Sequence, residues 1–306
     1  MKTIDIGKSG LQGSEIALGC MRMAGLSTQE AAKTVAACLD LGINMFDHAD
    51  IYGAGQSEEI FAKAAKEIGL DREAIILETK CGIKPGISFD FSKEHIVSSV
   101  EKSLQRLNTD YVDLLALHRP DTLMEPEEVA EAFDELHKKG WVRHFGVSNQ
   151  TPGQIALLQK HVDQKLIVNQ LQFSIMHTGM IDSGFNANMA NSGSVNRDGG
   201  ILEYARLHDM TIQAWSPYQY GFFEGVFLDN EKFPRLNEAI DGIAEKYGVS
   251  NTAIATAWIL RHPAKIQTVV GSMNPKRLAE IAEASRIALT REEWYGIYMA
   301  AGNELP

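Results

Sequence analysis

Short apolar runs alternate with longer amphipathic segments along almost the whole chain. The runs cover residues 44–46, 75–77, 112–117, 143–147, 167–168, 211–214 and 268–270, and they are typical of strands buried on both faces, as in a parallel sheet. Segments with apolar residues at helical spacing cover residues 28–41, 57–69, 92–107, 126–139, 151–160, 200–208, 251–261 and 275–284. This alternation predicts a series of β/α units.

Eight such units are present when residues 16–18 are counted as the first strand. In a chain of 306 residues, eight units favour the α/β class with a (β/α)8 TIM barrel over a doubly wound open sheet. Residues 3–6 and the turn residues at 10–14 predict an N-terminal β-hairpin, and residues 290–301 predict an extra C-terminal helix across the barrel. No linker divides the chain, so residues 1–306 are expected to form a single domain.

Two segments lack a clear place in this alternation. Residues 177–200 are rich in Gly, Asn, Ser and Met and form the longest predicted loop, which is either a lid over a site or a plain surface loop. Residues 221–247 form a second excursion before the seventh helix of the barrel.

Composition excludes several classes of partner. The chain has 29 Lys and Arg against 40 Asp and Glu, a net charge of -11 that would repel nucleic acid. Cys20, Cys38 and Cys81 are odd in number and outside any CxxC spacing, so we expect neither disulfides nor a zinc site, and a reducing compartment. The N-terminus lacks the apolar core of a signal peptide, and no apolar segment approaches ~20 residues. We therefore expect a cytoplasmic protein without a membrane partner.

Polar residues follow nearly every predicted strand. In a barrel of this type the reactive groups lie just past the carboxyl ends of the strands, so these residues should meet at one site. They are Asp47 to Gly53, Thr79 and Lys80, His118 to Asp121, Ser148 and Asn149, Asn169 to Gln172, Trp215 to Pro217, and Gly271 to Pro275. Each has an ordinary structural interpretation when taken singly, but their common position predicts a functional site.

Four of these residues have the chemistry that carbonyl reduction requires. Tyr52 is a poor acid at neutral pH, because the reference pKa of a phenol is about 10, but an ammonium nearby lowers that pKa. Lys80 can supply the ammonium, and Asp47 can keep it charged and oriented. His118 can hydrogen-bond a substrate carbonyl or share the proton. The set predicts a proton donor with its supporting groups.

The same residues resemble a known family. Asp47-His48-Ala49-Asp50-Ile51-Tyr52-Gly53, Glu78-Thr79-Lys80-Cys81, Leu117-His118-Arg119-Pro120-Asp121 and Gly146-Val147-Ser148-Asn149 are similar to motifs of the aldo-keto reductases in order and spacing. The resemblance covers essentially the whole chain. It implies a (β/α)8 barrel, NADPH bound at the carboxyl face, Tyr52 as general acid, and Asp47, Lys80 and His118 as supporting residues.

The resemblance also implies how the cofactor is held. Ser148, Asn149 and Gln170 would hydrogen-bond the nicotinamide carboxamide, and Trp215 would stack on its ring. Further contacts are implied for Gly19, Cys20, Met21, Asp47, Ser216, Pro217 and Tyr218, and for Gly271, Ser272, Met273, Asn274, Arg277 and Glu280 at the adenosine end. Ser272 and Arg277 would bind a 2′-phosphate, because a guanidinium offers paired donors to phosphate oxygens. Free N–H groups at the helix that begins at Pro275 would favour the same anion.

Three positions depart from the usual family pattern. Trp215 replaces a more common tyrosine, Gly271 replaces a lysine that would contact the 2′-phosphate, and Ile281 replaces an asparagine that would contact the adenine. The loss of one cation weakens the preference for NADP over NAD. Arg277 and the adjacent Lys276 still favour NADP, with NAD as a possible alternative.

Other interpretations stay open at this stage. His48 and Asp50 would suit a metal-dependent barrel hydrolase, provided that other strand ends supplied further ligands. A cofactor-binding regulatory subunit of potassium channels would share the same four residues. The chain begins almost directly at the barrel, without an N-terminal extension to plug a channel, which favours the enzyme. Met, Phe and Tyr in the loops indicate a small aromatic or aliphatic carbonyl substrate. The oligomeric state is not predicted.

One glycine-rich string resembles a different motif. Gly53-Ala54-Gly55-Gln56-Ser57-Glu58 begins like a dinucleotide-binding fingerprint, but Glu58 stands at the third glycine position and would bring a carboxylate near a pyrophosphate. The string is therefore interpreted as a turn and the start of the second helix.

Overall fold

Eight parallel strands form a closed barrel in the computed structural model, which describes all residues from Met1 to Pro306. The strands are β1 (Ile16–Gly19), β2 (Met45–Asp47), β3 (Ile76–Cys81), β4 (Val112–Leu117), β5 (Val142–Ser148), β6 (Leu166–Gln172), β7 (Thr211–Trp215) and β8 (Gln267–Val270). Each strand pairs with the next along the chain, and β8 pairs with β1. The predicted (β/α)8 barrel is confirmed.

Eleven α-helices accompany the strands. They are α1 (Thr28–Asp40), α2 (Gln56–Glu67), α3 (Lys93–Leu107), α4 (Pro126–Lys138), α5 (Pro152–Gln159), α6 (Gly179–Phe185), α7 (Ile201–Leu207), α8 (Pro234–Tyr247), α9 (Asn251–Leu260), α10 (Pro275–Ala282) and α11 (Arg291–Ala300). Local sequence determines where several of these helices begin. At the start of α1, the Ser27 side chain accepts a hydrogen bond from the backbone N–H of Glu30 in a capping box. No helix in the structure combines the length and the hydropathy that a membrane span requires.

The barrel has two apolar layers. Side chains at alternate strand positions point inward, and Ala17, Met45, Ile76 and Leu114 pack there with Ile6 in a small buried cluster. The larger apolar cluster lies between the strands and the helices. Ile6 follows the first strand of the predicted N-terminal hairpin, in which Thr3–Asp5 pairs antiparallel with Gln12–Ser14. The hairpin thus supplies one side chain to the barrel interior.

Four strands, β1, β2, β5 and β7, extend past their apolar runs by one residue, to Gly19, Asp47, Ser148 and Trp215. Two others extend much further. Lys80 lies within β3 and Gln170 within β6, whereas the sequence predicted that both would follow their strands. The inward positions beyond the apolar layer hold polar residues that bond to one another, so a polar side chain does not end the strand there. This extension fixes both side chains on regular backbone.

Two helices were not predicted. The segment 177–200 contains the short helix α6, which is held because the hydroxyl of Tyr298 donates to Asp182 Oδ1 at 2.7 Å. The second excursion contains α8, which begins at Pro234 and buries Leu236, Ile240 and Ala244 along one face. It ends at Tyr247 and is followed by Gly248, which has a positive φ. Tertiary packing stabilises the first helix, and amphipathic spacing indicates the second.

The C-terminal helix packs on the outside of the barrel. Trp294 of α11 stacks on Trp258 of α9 with ring centroids 4.6 Å apart and an interplanar angle of 5°. Each indole N–H donates to the backbone carbonyl of the other tryptophan, at 3.0 and 2.9 Å. Both indole N–H groups are satisfied in this way, which allows two large aromatic residues to be buried together.

Candidate active site

A cavity of about 490 Å³ opens at the carboxyl ends of the strands. Many of the predicted site residues line it together: Gly19, Met21, Asp47, Tyr52, His118, Ser148, Asn149, Gln170, Trp215, Ser216, Pro217, Tyr218 and Gly271. These residues come from seven of the eight strand ends, so the barrel closure brings together positions up to about 250 residues apart in the sequence. The expectation that the polar strand ends meet at one place agrees with this geometry.

Three side chains are grouped around the buried ammonium of Lys80. Lys80 is fully buried behind the cavity wall, where its Nζ donates to the Asp47 carboxylate and, at 2.9 Å, to the His48 carbonyl. The same Nζ lies 5.2 Å from the centre of the Tyr52 ring. The His118 ring meets Tyr52 edge to face, with centroids 5.8 Å apart. The predicted set of Asp47, Tyr52, Lys80 and His118 is therefore assembled around one point.

The protonation of these groups follows from burial and from Lys80. Burial raises the pKa of Tyr52 to about 12, although the charge of Lys80 acts in the opposite direction. The sequence predicted the effect of Lys80 but not the larger effect of burial. Burial also lowers the pKa of His118 well below its usual value, with Lys80 and Arg119 adding to the shift. At neutral pH the site therefore holds a protonated phenol beside a neutral imidazole.

Lys80 itself stays charged. Burial alone would lower its pKa, but the negative charge and the hydrogen bond of the Asp47 carboxylate outweigh burial and raise it above the ordinary value. An unpaired ammonium at this depth would be strongly destabilising, so the ion pair with Asp47 is what permits it.

A chain of polar side chains continues into the barrel below Asp47. Gln170 Nε2 donates at 3.2 Å to both Asp47 Oδ1 and Gln213 Oε1, and Gln213 Nε2 donates to Glu78 Oε2 at 2.7 Å. Burial and the charge of Asp47 raise the pKa of Glu78 well above its usual value. Sequence reasoning missed Glu78 and Gln213. The available signal was their position two residues before Lys80 and Trp215, which places them on the same inward faces.

The residues implied to hold the nicotinamide are connected to one another. Trp215 Nε1 donates to Asn149 Oδ1 at 3.2 Å, Asn149 Nδ2 donates to Ser148 Oγ at 2.7 Å, and Ser148 Oγ donates to the Gln170 carbonyl at 3.0 Å. Asn149 has a φ of 57°, a left-handed conformation that turns the chain sharply at the end of β5. The amide face of Asn149 is thereby set against the cavity and the indole of Trp215.

The implied adenosine end is less enclosed. Ser272, Met273, Asn274, Arg277 and Glu280 do not line the cavity. Asn274 Oδ1 accepts the backbone N–H groups of Lys276 and Arg277 at 2.9 and 3.4 Å, so the two amides expected to be free at this helix start already have a partner. Cys20 is also outside the cavity, since its buried thiol points to the Leu18 carbonyl.

A cation that the sequence did not indicate lies beside Gly271. Arg22 Nη1 donates to the Gly271 carbonyl at 3.0 Å, and a Cβ built on Gly271 would lie 2.9 Å from that same atom. The guanidinium thus occupies the space that a side chain at position 271 would need. No local motif could reveal this, because the two residues are 249 positions apart.

Further cavity residues were given no individual role from the sequence. Aromatic and aliphatic side chains cover one part of the wall, and Arg119 lies among them. These additional lining residues are Arg22, Ile51, Gly53, Ile83, Arg119, Gln219, Phe222, Phe223, Val226 and Val269. Residues 177–200 contribute nothing to the wall, so the interpretation of that segment as a lid finds no support in the structure.

The His48 and Asp50 pair does not form a metal centre. No group of three or more His, Cys, Asp or Glu side chains is placed to hold a metal ion. His48 lies in the core, edge to face with Phe61 at 4.8 Å, and burial lowers its pKa to about 3. Glu58 pairs with Arg106 at 2.6 Å, which is consistent with its place at the start of α2 and not at a phosphate loop.

Comparison with known proteins identifies the class to which this fold and site belong. The sequence profile described as the aldo/keto reductase family matches residues 15–299. A 6-dehydroglucose reductase of Novosphingobium aromaticivorans is 36% identical to the chain, with 98% of the chain and 96% of the relative covered. The chain belongs to the aldo/keto reductase family and is an oxidoreductase of that family.

Two further similarities bear on function. A protein of Arabidopsis thaliana named "Probable voltage-gated potassium channel subunit beta" is 28% identical, with 93% of the chain and 91% of the relative covered. The solved structure of an aldo-keto reductase from Klebsiella pneumoniae in complex with NADPH superposes with a TM-score of 0.77 at 23% identity, covering 97% of this chain and 93% of that one. The structural likeness shows a shared fold. The family as a whole uses a nicotinamide cofactor.

Proposed function

We propose that the chain reduces aldehydes and ketones to alcohols with NADPH, and that Tyr52 donates the proton. The observation that carries the proposal is the placement of the Tyr52 phenol at the cavity, between the Lys80 ammonium and the His118 ring. The overall reaction is NADPH + H⁺ + R–CO–R′ giving NADP⁺ and R–CHOH–R′. Two electrons and one hydrogen come from the cofactor, and the other hydrogen comes as a proton.

The cavity wall suits the nicotinamide end of a dinucleotide. Gly19 and Gly271 line it without side chains, which would let a ligand approach their backbone. Ser148, Asn149 and Gln170 would hold the carboxamide, and the Trp215 ring would stack on the nicotinamide. When bound, the nicotinamide supplies the hydride to the carbonyl carbon.

The roles of the protein side chains in proton transfer follow from their charges. Tyr52 keeps its proton at neutral pH because of its raised pKa, and it releases the proton only when the carbonyl oxygen gains negative charge. Lys80 then stabilises the phenolate that is left, and Asp47 keeps Lys80 charged and aimed. His118 makes no hydrogen bond through its side chain within the protein, and its neutral ring can donate one to the carbonyl oxygen.

Preference for NADPH over NADH is part of the proposal. Arg22 fills the space beside Gly271, and Arg277 makes no side-chain hydrogen bond or ion pair within the protein. Both guanidinium groups are therefore available to phosphate oxygens. The Klebsiella pneumoniae structure, which holds NADPH, supports the same choice.

Replacement of one hydroxyl tests the proton donor. Tyr52→Phe should lower kcat for a small aldehyde by about 100- to 10,000-fold, the usual contribution of a positioned general acid. NADPH affinity, measured by fluorescence titration, should stay within about twofold because the hydroxyl does not hold the cofactor. Tyr111→Phe is a matched control, since that hydroxyl is buried without a partner and lies outside the cavity. A Tyr52→Phe protein that kept most of its turnover would remove Tyr52 from this role.

The same assay addresses the regulatory alternative. A channel-type subunit would bind NADPH with little turnover, and the similarity to the Arabidopsis thaliana protein gives this alternative a basis. Steady consumption of NADPH across a panel of aldehydes and ketones would support the enzyme. Binding without consumption would support the regulatory role.

A further inference from the structure

Arg119 is a half-buried cation without a partner at the cavity wall. It directly follows His118 at the end of β4, and its side chain makes no hydrogen bond and no ion pair with any group of the protein. Its guanidinium carbon lies 5.6 Å from the centre of the Trp215 ring and 5.9 Å from that of Phe222. Aromatic faces therefore hold the side chain in place while its hydrogen-bond donors stay available.

No carboxylate in the cavity compensates this charge. The charged residues that line the cavity are Arg22, Asp47 and Arg119, and Asp47 is paired with Lys80. The chain has 40 acidic residues, yet no acidic residue other than Asp47 lines the cavity. Burial lowers the pKa of Arg119, as expected for a guanidinium that has lost water without gaining an anion. A neutral substrate that filled the cavity would cover this cation further and leave it unpaired, which is unfavourable.

The two arginines lie at different parts of the cavity. Arg22 contacts Gly271, on the side implied to take the cofactor phosphates. Arg119 adjoins His118 and Tyr52, where the carbonyl group would be reduced. An anion bound at Arg119 would therefore belong to the substrate.

We propose that Arg119 binds a carboxylate of the substrate, so that the preferred substrates are small carbonyl compounds carrying that anion. This inference rests on the proposed carbonyl reductase function and defines its substrate class. A planar guanidinium can take both oxygens of a carboxylate in a paired hydrogen bond. Phe222 and Phe223 at the same wall would contact the apolar part of such a molecule.

The test compares pairs of aldehydes that share a carbon skeleton around the carbonyl group, of which one carries a carboxylate and the other a neutral group in its place. The first pair is 4-carboxybenzaldehyde and its neutral methyl ester, methyl 4-formylbenzoate, and the second is succinic semialdehyde and butanal. With the native chain, kcat/KM should be about tenfold or more higher for the acid of each pair, as expected from one charged hydrogen-bonded contact. Arg119→Gln should lower kcat/KM for the acids by about 10- to 100-fold, mainly through KM, and should leave the neutral compounds within about threefold.

Arg119→Lys is the matched variant, because it keeps the charge but not the planar fork. It should recover part of the preference for acids. Equal losses with acidic and neutral substrates would overturn the proposal and assign Arg119 a structural role under Trp215. A native chain that reduces both members of each pair equally well would also overturn it, while leaving the carbonyl reductase function intact.

A binding measurement keeps the inference independent of turnover. Calorimetric titration of the NADP⁺-loaded protein with 4-carboxybenzaldehyde should give a Kd about tenfold or more weaker for Arg119→Gln than for the native chain. The methyl ester should bind both proteins with similar affinity. An unchanged Kd for the acid would contradict the carboxylate site even if no carbonyl compound were turned over.

Discussion

Lys80 is the residue on which the other charges of the site depend. Its ammonium is buried, bonded to Asp47 and to the His48 carbonyl, and set 5.2 Å from the Tyr52 ring. The ion pair keeps a positive charge at a depth where a lone cation would be expelled or neutralised. That charge lowers the free energy of the phenolate and disfavours protonation of His118. The charge of Lys80 thus opposes the effect of burial on the pKa of Tyr52 and adds to it for His118.

The choice between NADPH and NADH is predicted to depend on two exposed arginines. Arg22→Ala and Arg277→Ala should each weaken NADPH binding by about tenfold, because each removes a charge-assisted contact with the 2′-phosphate. NADH binding should change by less than about twofold, since it lacks that phosphate. The measurement is a fluorescence titration with both cofactors, with Arg235→Ala on the distant α8 as control. An equal loss for NADPH and NADH would assign the arginine to the shared pyrophosphate.

The sequence predicted the site residues that lie at strand ends. It missed those that reach the site through contacts with residues distant in the sequence. Asp47, Tyr52 and His118 each lie at or just after a strand end in a recognisable string, so their meeting at the cavity was predictable. Arg22 lies at the cavity beside Gly271, which is 249 positions away in the sequence, so no local pattern could place it there. The sequence predicted the effect of Lys80 on the pKa of Tyr52 but missed the effect of burial. The burial of Tyr52 depends on all the residues that form the cavity wall, which only the folded structure shows.

At the scale of elements, the turn before α2 places Tyr52 by means of glycines. Gly53 and Gly55 have φ values of 57° and 93°, which a side chain would strain. Gly55 also lies against Arg106 of α3, whose Nε bonds the buried Glu58 at 2.6 Å. The apparent dinucleotide fingerprint in this string is therefore explained by chain geometry and by close packing between two helices.

A pair of glycine variants separates strain from packing. Gly55→Ala should lower the free energy of unfolding by about 3 kcal/mol, because the new Cβ would lie 2.7 Å from Arg106 Cδ and would displace that side chain from Glu58. Gly140→Ala, at a φ of 70° with no atom within 4 Å, should cost only about 1 kcal/mol of backbone strain. Urea unfolding measures both. If both variants lost the same free energy of unfolding, the contact between the new Cβ and Arg106 would contribute nothing to the loss.

The element boundaries show which structural features the sequence could define. Helices with capping residues and continuous amphipathic spacing, such as α1 and α3, begin and end within one or two residues of their predicted bounds. The strand β3 extends past its prediction into Lys80, since the barrel interior provides partners that no local pattern reveals. The short helix α6 depends on a hydrogen bond from Tyr298, which is far along the chain.

At the scale of the whole molecule, buried titratable groups oppose one another in their effect on stability. Burial lowers the pKa of His48 to about 3 and that of His262 to about 4, so these groups favour the folded state more as the pH rises toward 6.5. Asp50 acts in the opposite sense. Burial and the charge of Glu58 raise its pKa to about 7, despite the counter-effect of Arg106.

The sign of the Asp50 contribution follows from proton linkage. The folded chain keeps the Asp50 proton up to a pH of about 7, whereas the unfolded chain releases it near the ordinary value of 3.8. Between these values the folded state binds more protons, so this contribution to stability is complete at low pH and is lost as the pH rises through 7. Asparagine cannot titrate, and it has nearly the same shape as the protonated acid. The substitution Asp50→Asn should therefore remove the decrease in stability that Asp50 causes as the pH rises.

The predicted quantity is the difference in free energy of unfolding between Asp50→Asn and the native chain, followed from pH 5 to pH 8. It should rise by about 2 kcal/mol in favour of the variant, somewhat less than the full shift would give because the side chain is partly exposed. Both proteins contain the same histidines, so the contribution of the histidines to the free energy of unfolding cancels in this difference at each pH. Asp163→Asn, an exposed aspartate without a side-chain hydrogen bond, is the control. A flat difference for Asp50→Asn would show that Asp50 is already ionised at pH 5, and that its neighbours Arg106 and Ser99 outweigh its burial.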